Sequence, residues 1–135
     1  MKKEISCGAV ISKPDENKLL VIKHSNGGHW GFPEGHVENN ETEEETAKRE
    51  ILEETGIHAE IDTGFRYVVT YSPKPGVTKD VVYFAAKALD INTTPQQAEV
   101  TDIKWMTPEE AEKTFTFKDY KDVLRAYLEY TRYKK

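Results

Sequence analysis

The sequence predicts an α/β protein in which a mixed β-sheet is sandwiched between α-helices (an α/β/α arrangement), in a single domain spanning residues 1–135. Two observations lead to this fold class. Strand-like segments come first, are interrupted by one helix with clear start and stop signals, and are followed by further strands and then helices, an order typical of a sheet covered by helices. In addition, 135 residues are enough to bury a sheet between helices but too few for a second folded unit.

The first two strands lie before residue 24. Residues 5–12 and 18–23 are rich in aliphatic residues, and the polar residues 14–17 between them predict a turn. Residues 24–38 are rich in glycine and aromatic residues and predict a loop, the kind of segment in which function concentrates. Gly8, inside the first strand, fits either a close backbone approach or a simple packing accommodation.

A helix over residues 43–55 is predicted from both of its ends. Thr42, followed three residues later by Glu45, forms a capping box, and Gly56 supplies a left-handed stop. The glutamates at 43–45 complement the positive end of the helix dipole, and we interpret them as a solvated acidic surface.

Two longer strands follow this helix. Residues 58–71 and 79–89 are rich in β-forming residues and predict a hairpin joined by the turn at residues 72–76. A polar loop beginning at Pro95 then leads into a short strand that ends at Met106.

The chain closes with two helices. Thr107 is a helix cap and Pro108 stands at the first helical position, which together are a strong start signal. The last helix is predicted over residues 118–130, and its apolar side carries Val123, Leu124, Tyr127 and Leu128. Covered in this way, the sheet has the acidic helix on one of its faces.

Composition excludes several classes of protein. Hydrophobic residues make up 37% and charged residues 32%, and no apolar run approaches the ~20 residues of a membrane span. The net charge of −5 disfavours long nucleic acids as partners. The first residues lack the apolar region of a signal peptide, so a cytoplasmic protein is expected. We also expect a monomer or a weak homodimer. Cys7 is alone, in an apolar segment, and is interpreted as a buried inert thiol.

The C-terminal end of the central helix carries its charges at an unfavourable place. Glu50, Glu53 and Glu54 fall within an arc of roughly 100°, where they repel one another. They also lie at the negative end of the helix dipole, where carboxylates are penalised. A divalent cation such as Mg²⁺ or Mn²⁺, bound by these oxygens, would offset that cost. From spacing alone, this metal site and a solvated acidic surface are equally favoured.

The pattern around these glutamates is more specific than their spacing. It consists of a glycine, five residues, a glutamate, seven residues, then Arg-Glu-aliphatic-x-Glu-Glu-x-Gly-aliphatic, and it is filled by Gly35, Glu41, Arg49, Glu50, Ile51, Glu53, Glu54, Gly56 and Ile57. The chain therefore resembles the Nudix hydrolases. This resemblance implies hydrolysis of a nucleoside diphosphate linked to another moiety, with Mg²⁺ or Mn²⁺ on the box glutamates. Gly35 frees the backbone to approach the metal or a phosphate, and Arg49 is expected to pair with Glu41.

Residues outside this box are similar to one branch of the family, the asymmetrical diadenosine tetraphosphate hydrolases. The matching residues are Cys7-Gly8, His29-Trp30, Pro33, residues 35–38, Gly64-Phe65, Tyr71, Lys79, Tyr83, Glu99, Trp105 and Phe117. Carried over, the resemblance implies polyphosphate contacts at His29 and Lys79, and a metal ligand or general base at Glu99. It also implies purine binding by Tyr71, Tyr83 and Phe117, whereas strand position alone favours ordinary packing for the two tyrosines.

One residue departs from this branch. The branch commonly has lysine immediately before the box glycine, and this chain has Glu34. An inward-pointing carboxylate there would weaken tetraphosphate binding by about 1 kcal/mol or more.

The resemblance implies attack of a metal-activated water on a phosphorus atom, which splits a dinucleotide into mono- and trinucleotide products. Glu50, Glu53 and Glu54 are the expected metal ligands, and either Glu53 or Glu99 is the expected base. Alternatives with the same box are an RNA 5′-pyrophosphohydrolase and an oxidised-nucleotide pyrophosphohydrolase. A catalytically idle Nudix domain that senses nucleotides is the non-enzymatic alternative.

Overall fold

A computed structural model describes residues 2–25, 27–95 and 99–134. Over these residues the chain forms, in order, β1 (Lys2–Ser12), β2 (Leu19–His24), β3 (Trp30–Gly31), β4 (Glu34–His36), α1 (Glu43–Thr55), β5 (Ala59–Lys74), β6 (Val77–Ala88), β7 (Val100–Met106), α2 (Pro108–Thr114) and α3 (Lys118–Lys134). Asn26 of the predicted glycine-rich loop, and residues 96–98 of the predicted polar loop, lie outside the described residues.

The strands form one mixed sheet. Its main path runs β3-β2-β1-β6-β5, while β4 pairs with β1 and β7 pairs with β2. The central pair, β1 and β6, is parallel, and the other pairs are antiparallel. The parallel pair joins the N-terminal strands to the β5–β6 hairpin, so residues far apart in sequence meet on one sheet surface.

Helices cover both faces of this sheet, which confirms the predicted fold class. On one face α1 packs on the sheet, with a core of Cys7, Ala9, Ile11, Leu20, Ala47, Ile51, Ile57, Ala59, Val82, Phe84, Ala86 and Ala88. On the other face α2 and α3 contribute to a core of Val10, Leu19, Val21, Phe32, Phe65, Val81, Tyr83, Ala85, Met106, Ala111, Phe115, Val123, Leu124 and Tyr127. Alternate residues of β1 and β6 therefore point to opposite cores, as the strand period of two requires.

The central helix has the bounds that its end signals predict. The Thr42 side chain accepts from the backbone of Glu45, the Glu45 side chain accepts from the backbone of Thr42, and Gly56 is left-handed with φ 78°. The hairpin is longer than predicted, because β5 and β6 continue to a tight turn at which Gly76 has φ 79°. The last helix also continues past residue 130.

The predicted loop over residues 24–38 is wrong in part, because it contains the short strands β3 and β4. Strands of two and three residues are too short to show a period in the sequence. They matter here because β4 lies against β1, with Gly8 opposite Glu34. A Cβ atom on Gly8 would overlap the Pro33 carbonyl oxygen and the Glu34 side chain, so the glycine permits a close backbone approach.

Cys7 is fully buried, and burial raises the pKa of its thiol to about 12, as expected for an inert cysteine. Among the described residues, no helix has the length and apolar character needed to span a membrane.

Candidate active site

Three carboxylates converge where α1 ends. Glu50 and Glu54, which are 7% and 3% exposed, meet the exposed Glu99 from the segment before β7. One oxygen from each residue lies within 4.8 Å of the other two. Oxygen atoms at this spacing, two of them on buried side chains, fit a hard divalent cation. We call these three residues the carboxylate triad.

The electrostatics of the triad show the cost of assembling it without a cation. Burial raises the pKa of Glu54 to about 9, and the neighbouring charges of Glu50, Glu34 and Glu99 add to the effect. Burial also raises the pKa of Glu50, against the opposing effect of Arg49. Like charges in a desolvated place favour the protonated form, and a bound cation would favour the ionised form instead.

Arg49 ties the loop before α1 to the helix. Its Nε and Nη2 atoms donate to Glu41 at 2.7 and 3.0 Å, and Nη2 also donates to the His36 carbonyl oxygen at 2.8 Å. Its Nη1 atom donates to Glu50 at 2.7 Å, so the guanidinium fixes one member of the triad. The Arg49 hydrogen bond is the main reason that the pKa of Glu41 falls to about 2.

Glu53 stays outside the triad. Its side chain is 49% exposed and accepts from Arg49 Nη1 at 3.1 Å. The structure thus brings together Glu50, Glu54 and Glu99, whereas the sequence pattern groups Glu53 with the first two.

The strand β4 forms the side of the site opposite α1. The Glu34 N–H donates to Glu54 Oε1 at 3.1 Å. A Cβ atom on Gly35 would overlap the Glu50 carboxylate, so this glycine lets the triad lie directly against the backbone.

A cavity of about 870 Å³ opens beside the triad. It is lined by His24, Ser25, His29, Glu34, Gly35, His36, Glu38, Glu50, Glu54, Val69, Tyr71, Lys79, Val81, Tyr83, Glu99, Phe117, Lys118, Asp119 and Tyr120. The cavity is therefore acidic on the side of α1 and aromatic on the side of α3, with Lys79 among its cations. Its volume is within the range typical of small-molecule sites.

On the side of α3 the cavity is lined by His24, His29, Phe117 and Tyr120, and the rings of Tyr71 and Tyr83 come from β5 and β6. His29 stacks on His24 with ring centroids 4.7 Å apart, and Phe117 contacts His29 edge-on at 5.0 Å. Phe117 and Tyr71 are 51% and 42% exposed, so both have ring surface available to a ligand. Tyr83 is only 4% exposed, and its ring packs against Phe32, which makes it part of the cavity floor.

A family model for the NUDIX domain matches residues 2–127 of the chain. The chain belongs to the Nudix family. It is 36% identical over 135 residues to the asymmetrical bis(5′-nucleosyl)-tetraphosphatase of Mus musculus, covering 89% of this chain and 90% of that protein. It is also 33% identical over 121 residues to an 8-oxo-(d)GTP phosphatase of Mycolicibacterium smegmatis, covering 90% of this chain but 37% of that protein.

A solved structure agrees with this assignment. The binary complex of a C. elegans Ap4A hydrolase has a TM-score of 0.85 and 26% identity, with 96% of this chain and 98% of that chain covered. The fold of the Nudix domain therefore extends over nearly the whole described chain.

His24 is a lining residue of this Nudix domain that the sequence reasoning missed. Its Nε2 atom is buried without a hydrogen-bond partner among the described residues. Burial, followed by the charges of His29 and Lys79, lowers its pKa to about 4, so the ring is neutral at pH 7. Its position at the end of β2 gave no signal, because only the folded sheet shows that this strand end reaches the cavity.

Proposed function

We propose that this Nudix protein hydrolyses nucleoside polyphosphates with Mg²⁺ or Mn²⁺, and that it cleaves diadenosine tetraphosphate asymmetrically to ATP and AMP. The observation that carries the proposal is the convergence of Glu50, Glu54 and Glu99 on a cavity that also contains Lys79 and aromatic rings. Similarity to the tetraphosphatase over nine-tenths of both chains supports the choice of substrate.

Each part of the cavity has a proposed role. The triad would hold the cation, which neutralises phosphate oxygens and lowers the pKa of a bound water. Lys79 and His29 bind the phosphate chain, and Phe117 and Tyr71 bind a purine by stacking. Tyr83 supports that purine site from the cavity floor.

The remaining residues position the triad and move the proton. Arg49 holds Glu50 in place, and the Glu34 amide holds Glu54. Glu99 is the exposed member of the triad, and we propose it as the general base: one of its carboxylate oxygens would help to hold the cation, and the other would accept the proton released when water attacks phosphorus. Glu53 accepts a hydrogen bond from Arg49, so its proposed role is to help orient the arginine that holds Glu50.

The test is a substrate panel assayed with Mg²⁺ and with Mn²⁺. It contains diadenosine polyphosphates, nucleoside triphosphates, 8-oxo-dGTP and 5′-triphosphorylated RNA. Equal amounts of ATP and AMP from diadenosine tetraphosphate, as the fastest reaction, are the expected result. Preference for 8-oxo-dGTP, which the mycobacterial relative makes the second candidate, or for RNA ends would refute the substrate assignment. Nucleotide binding with no turnover of any substrate would instead identify a sensor.

A cytoplasmic location and a monomeric or weakly dimeric state belong to the same proposal, and cell fractionation and light scattering test them.

A further inference from the structure

Besides the triad, the cavity is lined by the carboxylates of Glu34, Glu38 and Asp119, and Glu34 is the one whose backbone contacts the triad. Glu34 lies opposite Gly8 in the β1–β4 pairing, and Gly8 lies opposite Tyr83 in the β1–β6 pairing. Residues paired across a sheet project from the same face. The Glu34 side chain therefore lies on the same sheet face as Tyr83, which forms the cavity floor. Gly8, between them, has no side chain to separate the two, and both Glu34 and Tyr83 line the cavity.

Glu34 shares the cavity with Lys79 as well as with the triad. Its backbone amide donates to Glu54 Oε1. Burial raises the pKa of the Glu34 carboxyl, and the positive charge of Lys79 opposes that increase. Lys118, the other lysine of the lining, is held by Asp122 at 2.7 Å. Lys79 makes no ion pair within 4.0 Å in the part of the chain that the structure describes, so the field of Glu34 acts on a charge that is available to a ligand.

We propose that Glu34 is a specificity-determining residue that lowers the preference of this cavity for long phosphate chains. The inference rests on the proposed function. A phosphate chain that joins the triad to Lys79 runs through the cavity that Glu34 lines, so each added phosphate brings more anionic oxygens into the field of this carboxylate. A short chain, held mainly at the triad, avoids most of this repulsion.

Two substitutions at one position test the inference. Glu34→Gln keeps the shape of the side chain and removes its charge, while Glu34→Lys reverses the charge. The measured quantity is the ratio of kcat/KM for diadenosine tetraphosphate to kcat/KM for diadenosine diphosphate, with the triphosphate between them. We expect the ratio to rise several-fold in Glu34→Gln and roughly tenfold in Glu34→Lys.

The matched control is Glu129→Lys, which makes the same charge change on the exposed surface of α3, outside the cavity lining. This variant is expected to leave the ratio unchanged, which separates a local effect from a change in net charge. Thermal melting of each variant checks folding, and the isosteric Glu34→Gln keeps the test valid if Glu34→Lys does not fold.

Binding measurements keep this inference separate from the proposed function. Calorimetric titration with non-hydrolysable methylene-bridged diadenosine analogues gives the same ratio from affinities, whether or not the protein turns over any dinucleotide. An absence of turnover in the wild type would refute the proposed function alone. A ratio that is unchanged or lower in Glu34→Gln, by both measurements, would overturn the proposed role of Glu34, and a lower ratio would indicate that its carboxylate assists the binding of long chains.

Discussion

Replacing Glu54 by glutamine tests the electrostatic cost of the carboxylate triad. Burial and the charges of Glu50, Glu34 and Glu99 raise the pKa of Glu54 from its usual 4.5 to about 9. A raised pKa means that the folded state holds the proton more tightly than the unfolded state does. The stability contributed by the protonated group is therefore complete below pH 4.5 and is lost as the pH rises through about 9.

The size of the effect follows from that shift. At pH 7 a group that titrates independently of its neighbours would have lost roughly 3 kcal/mol of this folding stability, since each pKa unit corresponds to about 1.4 kcal/mol. Glu50 carries part of the same repulsion, so we expect Glu54→Gln to stabilise the metal-free protein by about 1–2 kcal/mol at pH 7. The glutamine can still accept from the Glu34 amide, so the substitution changes charge and leaves this hydrogen bond.

The assay is thermal unfolding in EDTA at pH 5 and pH 7, repeated with excess Mg²⁺. The variant should melt several degrees above the wild type at pH 7 in EDTA, and the difference should shrink at pH 5. Added Mg²⁺ should raise the melting temperature of the wild type by more than that of the variant, because a ligand that binds only the folded state stabilises it. A variant that melts at or below the wild type in EDTA at pH 7 would refute the reasoning.

Glu50→Gln is expected to lower kcat by at least about a hundredfold with metal in excess, whereas Glu53→Gln, outside the triad, is expected to lower it by less than about tenfold; steady-state kinetics over a Mg²⁺ titration distinguish the two. Gly8→Ala is expected to destabilise the fold by roughly 1–3 kcal/mol in urea unfolding, because its Cβ would overlap β4. Arg49→Lys is expected to move the acid unfolding midpoint to higher pH in a circular dichroism titration. Arg49 lowers the pKa of Glu41 to about 2, so the stability from this pair is present above pH 4.5 and is lost as the pH falls toward 2.

The sequence predicts those parts of the fold that local signals determine. The helix α1 has the predicted bounds because Thr42 and Gly56 act within its own turns. The strands β3 and β4 were missed because two or three residues show no period in the sequence, and the partner of β4 is the distant strand β1.

The same distinction applies to the site. Ala47, Glu50, Ile51 and Glu54 are buried together and follow the spacing i, i+3, i+4, i+7 of a core-facing stripe. Glu50 and Glu54 thus occupy positions where apolar residues are expected, whereas Glu53 lies outside this buried stripe. This difference between the glutamates could be read from the sequence. Glu99 is different, because only the pairing of β7 with β2 brings its segment to α1.

The strand β4 separates the two tasks of the site. Its backbone makes the bond to Glu54, so any residue other than proline can stand at position 34 and still donate this hydrogen bond. The side chain at 34 meanwhile projects into the cavity that we assign to the phosphate chain. A substitution there changes the charge that a substrate meets without removing a member of the triad. Preference for phosphate chain length is therefore expected to vary at position 34 independently of the hydrolytic step.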